Sequence, residues 1–250
     1  MSNPNGNNPP QPIQVNDWNS SPKRAINISF AYGLSIPSSG FENQAYAGNG
    51  SYFELSGSYY FSKIGLGLSV GQISNPTENN LSNFTEGIEF AISNNSENIK
   101  STYIGIGPEY RIKLNRFETI FQIKAGMYSV KPFAISSDKI EEQDKTIPFL
   151  MLNSEKTTLG FVSTGAKINY NINHHLQFFA SAGYSTALSD KLVVTESKIE
   201  DLNENGLIDL ADFKVRDGNV RYSTTKKNST PSSINIGFGI SYHFGYASPK

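Results

Sequence analysis

The segment 201–212 carries the clearest chemistry in the chain. Asp201, Asn203, Asn205, Asp209 and Asp212 place side-chain oxygens at positions one, three, five, nine and twelve of a twelve-residue stretch, and the carbonyl of Leu207 falls at position seven. Gly206 at position six permits a sharp turn, and Ile208 at position eight supplies an apolar anchor. Calcium takes about six to eight oxygens from a flexible loop, and this is the ligand order of a calcium-binding loop. Asp212 stands where a longer Glu is usual, which predicts a weak Ca2+ site suited to a calcium-rich exterior. The rival reading is a polar surface turn, because Asn and Asp abound in turns.

Other chemistry is thin. The chain of 250 residues has no cysteine, which rules out a thiolate nucleophile, a disulfide framework or a zinc–thiolate cluster. Its three histidines are His174 and His175 in one turn and His243 close to the C-terminus, with no Ser/His/Asp spacing beside them. Repeats such as Gly65-Leu66-Gly67 lie in mid-strand and open no helix, so they cradle no phosphate. A formal charge of −1 argues against nucleic acid, which needs a basic face. The expectation is a protein without catalytic residues.

The elements that position the loop read as strands. Apolar residues recur at period two: Ile26, Ile28, Phe30, Tyr32, Leu34; Phe53, Leu55, Tyr59, Phe61; Ile64, Leu66, Leu68, Val70; Ile104, Ile106, Tyr110, Ile112. The pattern continues through Phe117, Phe121, Ile123 and Met127, then Val162, Ala166, Ile168 and Tyr170, then Phe178, Ala180 and Tyr184. It is cleanest in Ile234, Ile236, Phe238, Ile240, Tyr242 and Phe244. Short links at Ser62-Lys63, Leu114 to Arg116 and Asn171 to His175 alternate strictly with long ones: 37–51, 74–100, 131–157 and 185–233. An antiparallel meander with short turns at one end and long loops at the other is the plan of an outer-membrane barrel, and no run of about 18 apolar residues offers a transmembrane helix instead. The predicted fold is all-β, an eight-stranded antiparallel up-and-down transmembrane barrel with short periplasmic turns and long extracellular loops. The apolar runs 87–92 and 147–152 would lengthen hairpins above the membrane or form a partner surface; should they instead cross the bilayer, the count rises to ten.

The polar faces support apolar-out. They carry Gly65, Gly67, Gly105, Gly107, Gly237 and Gly239 with Glu54, Glu109, Arg111, Glu118, Lys124 and Lys167. Glycine weakens a solvated strand but relieves crowding inside a narrow barrel. Lys or Arg facing lipid would cost about 2–4 kcal/mol, whereas both signs facing inward can pair and close the lumen. Aromatic residues near strand ends would form interfacial girdles. Pro108 lacks a ladder donor in a sheet without an edge, which predicts a bulge.

The last strand, Ser233-Ile234-Asn235-Ile236-Gly237-Phe238-Gly239-Ile240-Ser241-Tyr242-His243-Phe244, resembles that of small outer-membrane barrels of the OmpA/OmpX type. Gly105-Ile106-Gly107-Pro108-Glu109-Tyr110-Arg111 is similar to the fourth strand of versions common in Bacteroidota-type bacteria. The resemblance spans 25–244. It implies the cell outer membrane, contact with outer-membrane lipid, and recognition of the final aromatic strand by the barrel-assembly machinery. It also implies a structural or surface-binding role through the loops. An outer-membrane enzyme acting on lipid or peptide, or the barrel anchor of a longer envelope protein, are the alternatives. Residues 1–24, rich in Asn and Pro, read as a flexible tail, with either a leader cut away ahead of it or the chain a segment of a longer protein, and 245–250 as a short C-terminal tail.

Overall fold

The computed structural model describes residues 25–77, 98–136, 139–142, 145–148, 150–173, 175–188, 192–202, 204 and 221–244. In chain order its elements are β1 (Ala25–Pro37), α1 (Ser39–Ala45), β2 (Gly50–Tyr60), β3 (Ile64–Asn75), β4 (Ile99–Leu114) and β5 (Phe117–Val130). Four short strands follow: β6 (Ala134–Ser136), β7 (Lys139–Glu142), β8 (Lys145–Pro148) and β9 (Leu150–Ser154). The remainder is β10 (Thr157–Asn171), β11 (Leu176–Ala187), β12 (Leu192–Ile199), β13 (Tyr222–Ser229) and β14 (Ser232–Phe244).

Eight long strands close into a barrel in the order β1-β14-β11-β10-β5-β4-β3-β2. The seam pairs β1 with β14 from Ile26↔Phe244 to Pro37↔Ser233, so every barrel strand has two neighbours and no edge is left open. These are the eight strands that the alternation predicts. The ten-strand option does not arise at 150–154, which pairs outside the barrel, and the run 87–92 lies outside the described residues.

Period two decides which way each side chain points. Phe238 is 72% exposed and Ile240 48%, while Lys124 and Arg111 on the opposite faces are each 2% exposed. Ile26, Leu66, Ile106, Ile123 and Phe178 share the exterior with them. This is the reverse of a water-soluble barrel, and a continuous apolar exterior of this kind matches a lipid surround.

The tight turns owe their shape to a few residues. Asn115 adopts φ 53, a left-handed conformation that Asn tolerates better than most, between β4 and β5. Between β10 and β11 the side-chain oxygen of Asn173 accepts from the backbone N–H of His175 at 2.8 Å and of Leu176 at 2.7 Å.

Pro108 makes no bulge. It pairs with Leu66 on β3, and on the β5 side the ladder simply skips Gly107 and Pro108 and resumes at Glu109↔Gln122 in the same register as Ile106↔Ala125. The missing donor removes rungs without inserting a residue, because closure on both flanks fixes the register.

Three of the long links carry regular structure, the first of them α1. β13-β12-β9-β6 form a four-stranded sheet, and β7 and β8 a separate hairpin. The sheet's buried face supplies Ile135, Leu150, Leu152, Leu192 and Val194. Phe41 and Ala45 of α1 and Ile73, Ile99 and Val130 from the ends of barrel strands join them in one core, so the sheet and α1 are packed onto the barrel's long-loop end.

Candidate functional site

The lumen has two tiers. Toward the short-turn end it is charged. Lys124 Nζ lies 3.4 Å from Glu109 Oε1, and the Tyr60 hydroxyl donates to Glu109 Oε2 at 2.5 Å. The Arg111 guanidinium lies 4.5 Å from the Tyr60 ring centroid and donates through Nε to the Ser62 carbonyl at 2.6 Å. Glu118 accepts from Asn169 at 3.3 Å. Higher up, Lys167 Nζ donates to Ser56 at 3.0 Å and to Ser29 at 3.3 Å, and lies 3.6 Å from Glu54. Glu54 also accepts from the Tyr103 hydroxyl at 2.9 Å. Each charge meets an opposite charge or a hydrogen-bonding partner, as burial in a narrow polar interior demands.

The upper tier is aromatic, which the sequence reading of a purely charged and polar filling missed. Tyr52, Tyr103, Tyr128, Phe161 and Phe179 point inward and are buried, and Phe161 packs edge-on against Tyr103 with ring centroids 5.6 Å apart. Glycines opposite make the space. A Cβ on Gly71 would come 2.5 Å from Tyr103, and one on Gly237 would come 2.5 Å from the Tyr52 hydroxyl. The signal was available: these aromatics sit in the glycine-bearing register of their strands.

Between the tiers lies a cavity of about 50 Å3, with Tyr52, Glu54, Tyr103, Gln122, Lys167 and Ser181 in its wall. That is room for a few water molecules and no more.

Above the barrel the packed elements are fastened by one polar cluster. The Tyr46 hydroxyl, just after α1, donates to Glu196 Oε2 on β12 at 2.7 Å, and Lys227 Nζ on β13 reaches the same oxygen at 2.5 Å. Tyr46 holds φ 54, a costly conformation for a bulky residue that persists only where its surroundings enforce it. Burial, together with the hydrogen bond and negative charge of Glu196, pushes the Tyr46 phenol well above its ordinary value. For Glu196 burial acts to raise the carboxyl, but the hydrogen bonds from Lys227 and Tyr46 and the charges of Lys227 and Lys198 outweigh it and hold it below the usual value.

Of the six calcium ligands expected from the sequence, Asp201 is described. It is half-buried and lies two residues beyond the end of β12. Asn203, Asn205, Leu207, Asp209 and Asp212 lie outside the described residues. The loop's base is defined: Glu200 N–H donates to the Arg221 carbonyl at 3.2 Å, continuing the β12–β13 pairing that ends at Ile199↔Tyr222. Glu200 and Arg221 are therefore held side by side at the end of β12 and β13, and the chain between them carries the expected ligands. His175 stacks on Tyr242 with ring centroids 5.7 Å apart at the short-turn rim, and His243 points into the lumen.

No known family matches the sequence, and no curated protein matches it. The fold does have counterparts. A major outer membrane protein from Thermus thermophilus is similar over 88% of this chain and 99% of its own, at 10% identity and a TM-score of 0.50. OprG from Pseudomonas aeruginosa is similar over 92% of this chain and 100% of its own, at 12% identity and a TM-score of 0.48. Neisserial surface protein A is similar over 88% and 97%, at 12% identity and a TM-score of 0.43. At such identities the likeness is one of fold. The structural neighbours of this chain are outer-membrane barrels.

Proposed function

We propose that this chain resides in the outer membrane as a barrel with a plugged lumen, acting through its exterior sheet and loops and not by catalysis or bulk transport. The observation that carries the reading is the polarity of the wall: all eight strands turn aliphatic and aromatic residues outward, while β2, β4, β5 and β10 turn the Lys167–Glu54 and Lys124–Glu109 ion pairs inward. An eight-stranded barrel is barely wide enough for its own side chains, and here Arg111, Lys124, Glu109 and the upper aromatics occupy it. The strand sequences Gly105–Arg111 and Ser233–Phe244 support a relation to OmpA/OmpX-type barrels of Bacteroidota-like bacteria. On that relation the assembly machinery would read Tyr242 and Phe244. The test is migration on gels before and after boiling, coupled to planar-bilayer recording. A heat-modifiable band with no nanosiemens conductance is expected; a large steady conductance would contradict a plugged lumen.

Within this reading, 201–212 is a calcium-ordered tip through which the exterior sheet meets a surface ligand. Ligands from Asp201, Asn203, Asn205, Leu207, Asp209 and Asp212 would bind Ca2+ in the high micromolar to millimolar range typical of extracellular modules. Calorimetry of the full chain is expected to give a calcium heat that Asp201→Ala removes. An unchanged heat in that variant, or none in the parent, would overturn the site.

A further inference from the structure

The outward residues of β3, β4, β5 and β10 form ordered rows across the wall. Val70, Ile104, Met127 and Gly160 are cross-strand partners in the upper part of the apolar surface. One step toward the long-loop end, the partners are Gln72, Thr102, Ser129 and Thr158. One step further, Ser74 pairs with Lys100, and the Lys131 N–H donates to the Lys100 carbonyl at 2.9 Å. Lys156 comes next in this row, since it immediately precedes Thr157, the partner of Val130. Lys100, Lys131 and Lys156 are all exposed, and no ion pair among the described residues engages them. Glu155, exposed beside Lys156, is the one carboxylate next to them in sequence.

This sequence of rows is the profile of half a bilayer. Two residues along a strand advance about 7 Å, so the lysines root about 13 Å along the strands beyond the Ile104–Met127 row, about 10 Å along the membrane normal at the tilt of barrel strands, with the hydroxyl and amide row between. Headgroup regions are about 5–8 Å deep on each side, and Lys stems bend to place the ammonium where charge is best solvated. Neighbouring strands lie about 4.8 Å apart, so three like charges stand within about 10 Å of one another, an arrangement that repels unless an anion bridges it. The arc is local. The described outward residues near this level on the other strands, Ile36, Ser51 and Thr186, are uncharged.

We infer that Lys100, Lys131 and Lys156 form a docking site for the phosphate headgroup of a lipid in the long-loop leaflet, its acyl chains lying on Ile104, Ile106 and Met127 and its polar linkage against Thr102, Ser129 and Thr158. The site rests on the reading of this chain as a membrane barrel. Its occupant is a membrane lipid and not free phosphate, because the lysine row is continuous, through Thr102, Ser129 and Thr158, with the apolar wall below it.

The test uses the full chain in phosphatidylcholine nanodiscs containing about 10 mol% phosphatidic acid, with lipids retained on release counted by native mass spectrometry. Each lysine near an anionic surface contributes about fivefold in affinity, so K100Q/K131Q/K156Q is expected to retain phosphatidic acid about a hundredfold less well. K63Q, at the opposite end of the barrel, is expected to retain it as the parent does, and inorganic phosphate in excess is expected not to displace it. Heat-modifiable migration of the same samples reports insertion. An inserted parent that holds no phosphatidic acid, a triple variant that holds as much as the parent, or displacement by inorganic phosphate would each overturn the lysine site alone. A parent that never inserts would overturn the membrane reading along with it.

Discussion

The carboxylate of Glu109 fills the place where Gly67 has no side chain. A Cβ built on Gly67 would stand 2.0 Å from Glu109 Oε1, the oxygen that meets Lys124 at 3.4 Å. Glycine and ion pair are therefore one device, and neither fits without the other.

Gly67→Ala is expected to push Glu109 off both Lys124 and Tyr60 and to cost about 1–3 kcal/mol, the usual toll of overpacking. Gly57 points outward with nothing within 4 Å of its would-be Cβ, so Gly57→Ala should not destabilise the barrel. Urea unfolding in liposomes compares the two; equal losses would show that lumen crowding is not the cause.

Lys167 is expected to behave as a buried partner and not as a surface charge. Lys167→Met strands Glu54 and should cost about 3–5 kcal/mol, while the double change with Glu54→Gln should recover much of that loss. A double-mutant cycle measures the coupling. Additive losses would mean that the 3.6 Å pair does not couple.

Acid should loosen the exterior sheet before the barrel. The Glu196 carboxyl is held below its ordinary value of 4.5, so the folded state favours the ionised form. The stability this contributes is fully present above pH 4.5 and is lost as pH falls through the lower folded value. Hydrogen exchange in β12 and β13 should accelerate below about pH 4.5, with the barrel strands unaffected over the same interval. Glu196→Gln should exchange faster at neutral pH and lose that acid dependence. Unchanged exchange on acidification would contradict the role given to Tyr46, Glu196 and Lys227.

The barrel was legible because its cause is local. Alternation within Ile234 to Phe244 fixes which face is apolar without reference to any other segment, and the turn at Asn115 marks itself by residue type. The exterior sheet was not legible, because its pairings join distant segments such as Val194 and Ser154 through strands only a few residues long. Leu150 to Leu152 reads as a hairpin raised above the membrane, a partner surface or a fifth transmembrane hairpin until its partner is known. Tyr46 and Glu196 stand 150 residues apart, and neither residue type announces the bond. The inward aromatics were visible in the pattern, but period two gives a side chain's direction and not what it meets there. At Pro108 the local rule predicted a bulge, and the closed ladder on both sides overrode it.

The central claim is that the exposed apolar face touches lipid. The chain has no cysteine, so a single Phe238→Cys substitution takes one nitroxide label without ambiguity. In reconstituted bilayers that label is expected to collide freely with dissolved oxygen and hardly at all with a water-soluble nickel chelate, while a label at Lys226→Cys on the exterior sheet shows the reverse. A Phe238 label as open to the nickel chelate as the one at Lys226, or shut away from both reagents, would contradict the account.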